Sequence, residues 1–482
     1  MATAGCIFAV PVLFGGRSAW GHVLLTALAV TMTVAWCLRQ AIRGGGRLEL
    51  SGVEWILLGG LGWVLIQMIP LPVDWWATCT PQAHRILTLW TPDGETPFRL
   101  GLWNRLTLTP TETRIDWILF AAYSLIFCVT YQRVRQREDI ERIFRWLAYA
   151  AIGASVFGLL QYFAGNGKYF WFYQHPYSKL DDAVKGWFTS RNHFAHFLAL
   201  AAGPLVWWTL EAKRQRHRRR AGGDFGASRA FDPGYAGRTV VVGLVAFACL
   251  LTYSRGGIVV FLTASAIVLG AAYRAGRIDG RFLAVFLVVA ALIGIALGIH
   301  GYAELTGRFE GVAALSWEKI DHYGVRTTVW KNTLAAIGDF GATGSGAGSF
   351  RHVYELYRPW QPSNHFQTHA ENGYLQIALE LGLPGVGLLL AAIFAILRAI
   401  WATGRARLDA ASRLTVAILT AGVVVSLMHS LADFVWYVPA LAAVTAILLA
   451  CLFRMAKTVA VVERRDRLEA RRRHEWRLSA VG

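Results

Sequence analysis

His365-Phe-Gln-Thr-His-Ala-Glu-Asn-Gly-Tyr-Leu-Gln-Ile-Ala-Leu-Glu-Leu-Gly-Leu-Pro-Gly385 begins as polar polypeptide and ends inside an apolar run. That run extends from about Tyr374 to Ile400. It exceeds the 18–20 residues, roughly, that a helix needs to cross about 30 Å of hydrocarbon. A polar segment leads into it from Gly301. His365, His369 and Glu371, side chains able to exchange protons, therefore stand where a long loop re-enters a membrane.

The rest of the chain has the same character. Hydrophobic residues make up 55% of its 482 residues, charged residues 16%, and the mean hydropathy is +0.40. Such a composition excludes an ordinary soluble domain and makes the lipid bilayer the chain's first partner. The net charge of +18 invites a nucleic-acid reading. Its basic residues, however, cluster between apolar runs, as expected of cytoplasmic loops, and no nucleic-acid partner is expected. Cys6, Cys37, Cys128, Cys249 and Cys451 fall in apolar runs and Cys79 outside them, without metal or disulfide spacing. The N-terminus lacks the basic segment that opens a cleaved signal peptide.

Taken in order, the apolar runs are 2–14, 19–38, 53–69, 115–131, 146–163, a sixth ending at Leu210, 239–252, a further run to Tyr273, 282–299, 374–400, 414–431 and a last run to Phe453. Arg39 and Arg43, the cluster Arg133 to Arg145, Lys213 to Arg220, Arg274 to Arg281, and Arg405 to Arg413 then all fall on one side. A single miscounted run would move the next basic cluster across the membrane. The expected fold is all-α and integral to the membrane, with about twelve transmembrane helices and both termini cytoplasmic. Residues 1–300 form an N-terminal transmembrane region with a basic linker at 211–238, and 301–372 form one large extracytoplasmic loop containing short helices. Residues 373–455 form a C-terminal transmembrane region, and 456–482 a basic, helical tail. The Trp-rich segment with Trp75, Trp76, Trp90 and Trp103 reads as an interfacial aromatic belt or as a sugar-stacking surface.

This topology leaves Arg191, Arg255 and Arg326 on the non-cytoplasmic side. Arginine at an apolar boundary is costly unless paired or used, so each is a candidate functional residue. Its planar guanidinium suits bidentate phosphate contact, although snorkelling to lipid headgroups or pairing with a carboxylate would also hold it. Gly256-Gly257 permits a tight reversal or close approach to a ligand. In the loop, Val325 to Ile337 has the periodicity of an amphipathic helix. The glycine run Gly338 to Gly348 lacks the Gly-Lys-Ser/Thr ending of a P-loop and reads as a hinge or a close-approach loop. His365 and His369 have the i, i+4 spacing of metal ligands but no third ligand pattern, so no metal is expected. A general base fits better, His369 or Glu371, with helix capping as the plain alternative for Glu371 and Asn372.

These residues recur in a recognisable order. Gln67…Pro70-Leu-Pro72 comes first, then Phe188-Thr-Ser-Arg191-Asn-His-Phe-Ala195 and Ser254-Arg-Gly-Gly257. Arg326…Trp330 follows, with Gly344-Ser-Gly-Ala-Gly-Ser-Phe350, Asn372-Gly-Tyr-Leu-Gln376, Gly382-Leu-Pro-Gly385 and His429-Ser-Leu-Ala-Asp433-Phe434. In this the chain resembles the O-antigen ligase and O-antigen polymerase family of bacterial envelope glycosyltransferases. The resemblance implies a GT-C-like membrane fold at the bacterial inner membrane, with the active site on the periplasmic face. It implies transfer of a glycan from an undecaprenyl-diphosphate-linked donor to a sugar hydroxyl, on lipid A-core or on another carrier-linked glycan, without cofactor or metal. Arg191 and Arg255 would contact the diphosphate with Arg326 beside them, and the re-entry loop would supply the base. Asn372 and Asp433 would support the site. The ligase pattern places His directly before the Asn, where this chain has Glu371. His369 is the favoured titrating group, with Glu371 as orienter or alternate, and the departure tilts the reading from ligase towards polymerase of an O-antigen or exopolysaccharide. A polysaccharide transporter or flippase, a peptidoglycan-type glycan polymerase and a non-catalytic envelope assembly protein remain the competing readings.

Overall fold

The computed structural model describes residues 2–43, 48–72, 104–176, 182–221, 233–278, 325–358 and 366–479, together with a few positions between these segments. His365, most of the Trp-rich segment, most of the run at 282–299 and the loop at 301–324 lie outside the described residues.

Every extended element described is helical. In chain order they are α1 (Ala2–Val12), α2 (Ala19–Ile42), α3 (Val53–Met68), α4 (Pro110–Arg133), α5 (Arg137–Phe163), α6 (Arg191–Ala221) and α7 (Pro233–Leu250). They continue with α8 (Arg255–Arg274), α9 (Val325–Phe340), α10 (Phe350–Tyr357), α11 (Gly373–Arg405), α12 (Ala410–His429) and α13 (Pro439–Ser479). Among the described residues, seven helices are long and apolar enough to cross a membrane: α2, α4, α5, α8, α11, α12 and the Pro439–Arg465 part of α13. In α1, α3 and Ala236–Leu250 the apolar helix is shorter.

Helix ends overrun the apolar runs where capping permits. α5 starts at Arg137 rather than near Trp146 because Gln136 and Asp139 form a reciprocal capping box ahead of it. Pro110 opens α4 at a position where a missing N–H costs nothing.

α6 is the central helix, packed on α5, α7, α8 and α12. Its stretch from His193 to Val206 is buried at every position. Small residues let the backbones approach: a Cβ on Gly257 would lie 2.2 Å from the Cβ of Ala195, and one on Gly203 would lie 2.9 Å from Ile418. In hydrocarbon this close packing, rather than expulsion of water, holds helices together. α2 and α11 lie at the periphery. Val23, Val30, Val34 and Leu38 on α2, and Leu390, Phe394, Leu397 and Trp401 on α11, are exposed, which in a bilayer is contact with lipid.

The two ends of the bundle differ in kind. At one end Arg137 pairs with Glu141 at 3.0 Å and with Asp409 at 3.3 Å, and Arg454 pairs with Glu49. Arg39 lies within electrostatic reach of Arg43, Arg133 and Arg135 at this same end. At the other end, the turns after α1, α3, α5, α7 and α12 meet the loops that precede α4 and α11.

Candidate functional site

A buried carboxylate anchors that second end. Asp433, in the turn after α12, accepts hydrogen bonds from Asn192 Nδ2 at 2.8 Å and from its neighbour Phe434 N at 2.7 Å. His193 Nε2 lies 3.1 Å from the other side of the contact, at Asp433 Oδ1. Burial raises the Asp433 carboxyl, but His193, His429 and the Asn192 amide outweigh it and hold it well below the usual carboxylate range. One turn further into α6, His196 Nδ1 meets His429 Nδ1 at 3.0 Å, so one ring donates and the other accepts. A Cβ on Gly256 would lie 3.1 Å from His429 Nε2, which brings the start of α8 onto this histidine pair.

The re-entry segment closes over the anchor. Asn372 caps α11, accepting from the backbone N–H of Tyr374 at 3.0 Å and of Leu375 at 3.1 Å, while its amide donates to Leu431 O at 2.9 Å. Gly373 N donates to Ser430 O at 2.8 Å. His369 stacks on Phe434 with ring centres 3.9 Å apart, and its Nδ1 lies 2.9 Å from Thr368 Oγ1. Desolvation, reinforced by Arg17 and His193, pushes this imidazole well below its usual value, so it is neutral at physiological pH. Glu371 is the reverse case. Burial and the nearby Asp433 push its carboxyl up to about 7, against the opposing pull of Arg326 and Arg17. Arg326 stands 3.7 Å from it. Glu371 also has a φ of +52°, a left-handed conformation that non-glycine residues rarely hold and that clusters at functional sites.

The arginines singled out by topology gather at this end. Arg191 opens α6 beside Asn192, Arg255 opens α8 beside Gly256, and Arg326 is the second residue of α9. A helix start carries the positive end of the peptide dipole, where a cation is disfavoured and an anion favoured. Three cations placed at three such ends make a strongly electropositive surface, suited to holding phosphate.

Sequence reasoning missed Arg17. It lies in the turn between α1 and α2, over the ring of Phe434 at 5.2 Å from its centre, with Asp433 and Glu371 acting on it electrostatically. The topology that marked the other arginines would have marked this one too, since the turn after the first apolar run falls on the same side.

The glycine run is a close-approach loop. Gln67 Nε2 donates to Thr343 O at 3.0 Å and Glu380 O at 2.9 Å, while Ala347 N donates to Gln67 Oε1 at 3.3 Å. Gly346 has φ +104°, and a Cβ there would lie 2.1 Å from Thr107 Oγ1. Below the loop, buried Glu380 accepts from Phe350 N at 3.2 Å, Gln376 Nε2 at 3.1 Å and Tyr437 Oη at 3.1 Å. Tyr437 in turn packs edge-on to His369. The loop thus buttresses the site from beneath.

Residues 240–390 match the family model described as O-antigen ligase. The O-antigen ligase match runs through most of α7 and through α8, α9, α10 and the first half of α11, about a third of the chain. It contains Arg255, Arg326, His369, Glu371 and Asn372, whereas Arg17, Arg191 and Asp433 lie outside the matched O-antigen ligase segment. Together with the apolar helices, it supports a membrane protein of the O-antigen ligase and polymerase family, with a role in polysaccharide assembly. No curated protein matches the chain.

Proposed function

We propose that this chain is a membrane glycosyltransferase of the bacterial inner membrane. It moves a glycan from a polyprenyl diphosphate carrier, undecaprenyl diphosphate by resemblance, to a sugar hydroxyl, as a polymerase or ligase of O-antigen or exopolysaccharide. One observation carries the reading: arginines at three helix starts converge with Glu371 and His369 on the Asp433 anchor, at the bundle end remote from the Arg137 and Arg454 ion pairs. By the positive-inside rule that end is periplasmic and both termini are cytoplasmic.

In this mechanism Glu371, a carboxylate near neutral pH, takes the proton of the acceptor hydroxyl as its oxygen attacks the anomeric carbon. The bond from that carbon to the phosphate oxygen breaks, and the electron pair leaves with the diphosphate. Arg191, Arg255 and Arg326 stabilise the charge that develops there, which water would do less well in so apolar a setting. Glu371 is favoured over His369 because a poorly basic imidazole stacked on Phe434 is a weak proton acceptor. A single displacement inverts the anomeric configuration.

The glycan profile of a deletion strain tests the reading. Loss of chain length marks a polymerase, glycan stranded on its carrier marks a ligase, and an unaltered profile refutes both. With purified protein, Arg255→Lys should lower transfer far more than Arg142→Lys at the opposite end, because lysine cannot reproduce the planar fork.

A further inference from the structure

The turn that carries Arg17 is built as a rigid mount. Phe14, Gly15 and Gly16 follow one another in left-handed conformation, with φ of +57°, +71° and +82°. A Cβ on Gly16 would lie 2.8 Å from Val10 and 3.0 Å from Pro439, so the turn is wedged between α1 and the start of α13. Phe14 packs against Tyr169 and Tyr173, with ring centres 5.6 Å and 5.3 Å away. Ser18 then caps α2 by accepting from Gly21 N at 3.1 Å.

Arg17 shares its placement with Arg191, Arg255 and Arg326. It too stands at the start of a helix, immediately before the cap of α2, where the peptide dipole opposes a cation. Its guanidinium is half-buried, lies over Phe434 and is drawn by Asp433 and Glu371. Among the described residues, however, it makes no side-chain hydrogen bond and no ion pair within 4.0 Å. Asp433 is already committed to Asn192 and His193. A half-buried cation with five uncommitted N–H donors, seated over Phe434 and within electrostatic reach of Glu371, is arranged for an anion that arrives with substrate.

We propose that Arg17 binds the diphosphate of the polyprenyl-linked donor, as a fourth cation beside Arg191, Arg255 and Arg326. The inference rests on the glycosyltransferase reading above, which supplies the diphosphate. The competing role is purely electrostatic: Arg17 would hold the charge of Glu371 and never touch the donor.

The test measures binding of farnesyl diphosphate to the detergent-solubilised full chain, alongside transfer rate and melting temperature, for the wild type, Arg17→Met, Arg17→Lys and Arg142→Met. Loss of one charge-assisted contact should weaken binding about tenfold to a hundredfold in Arg17→Met. Arg17→Lys should recover part of the loss, and Arg142→Met should bind as the wild type does. Should Arg17→Met fail to fold, Arg17→Gln replaces it. Unchanged diphosphate binding with a reduced transfer rate assigns Arg17 to Glu371 alone and overturns the inference. A wild type that binds no prenyl diphosphate overturns the donor reading itself, a result distinct from equal binding by wild type and variant.

Discussion

The imidazole of His369 lies flat against the ring of Phe434, with centres 3.9 Å apart and planes 8° from parallel. This contact ties the segment before α11 to the turn after α12. In the proposed mechanism the proton chemistry falls to Glu371, two residues on. Glu371→Gln should therefore lower kcat by about 10²- to 10⁴-fold, the usual contribution of a general base. His369→Phe keeps an aromatic ring on Phe434 and should retain most of the activity. If the two variants lose activity equally, Glu371 is not the sole base.

The pH profile should follow the same carboxyl. With Glu371 pushed up to about 7, the transfer rate should rise with pH through about 7 and level off above it. Stability should run the other way. The folded-state value lies above the ordinary glutamate value, so the favourable contribution is complete below that ordinary value and disappears as pH rises through about 7. Glu371→Gln removes this dependence. Melting curves of wild type and variant, recorded in detergent at pH 5 and pH 8, should show the variant gaining relative to the wild type at the higher pH.

Asp433, in a buried position, holds three partners, Asn192 and His193 from α6 and the backbone N–H of Phe434 from its own turn. Asp433→Ala leaves the Asn192 amide and the His193 ring without an acceptor, at a cost of about 1–3 kcal/mol for each group left unsatisfied. Thermal unfolding should register the loss at neutral pH. Because the folded carboxyl sits below its ordinary value, the difference from wild type should shrink as pH falls below that value. A variant as stable as wild type at neutral pH would remove Asp433 from its anchoring role.

Two glycines in the same neighbourhood should respond in opposite ways to an added methyl. Gly346→Ala forces a side chain to φ +104° and to within 2.1 Å of Thr107, so it should destabilise by at least about 1–3 kcal/mol. Gly338→Ala lies within α9 with nothing inside 4 Å of the new Cβ, and should stabilise by up to about 1 kcal/mol through helix propensity. Paired melting temperatures check both.

Most helices were legible because a membrane span needs a long apolar run. Val325 to Ile337 emerged from its periodicity and is the body of α9. The start of α5 at Arg137 was not legible, since capping by Gln136 and Asp139 is a local hydrogen-bond event that hydropathy does not register. The glycine run left a hinge and a close-approach loop equally open. Gln67 resolves the choice by bonding both sides of that loop from α3, across more than 270 residues of sequence.

The sequence by itself determined that the chain is an apolar helical membrane protein, and it singled out Arg191, Arg255 and Arg326 as cations bordering apolar runs. These follow from one-dimensional rules of apolar length, charge sidedness and motif order. Only the tertiary structure decided which cation joins which carboxylate. Arg17 and Glu371 lie far apart in sequence, yet Asp433 acts on both. The protonation of His369 and Glu371 likewise depends on which neighbours desolvate or charge them, and that is a property of packing in three dimensions.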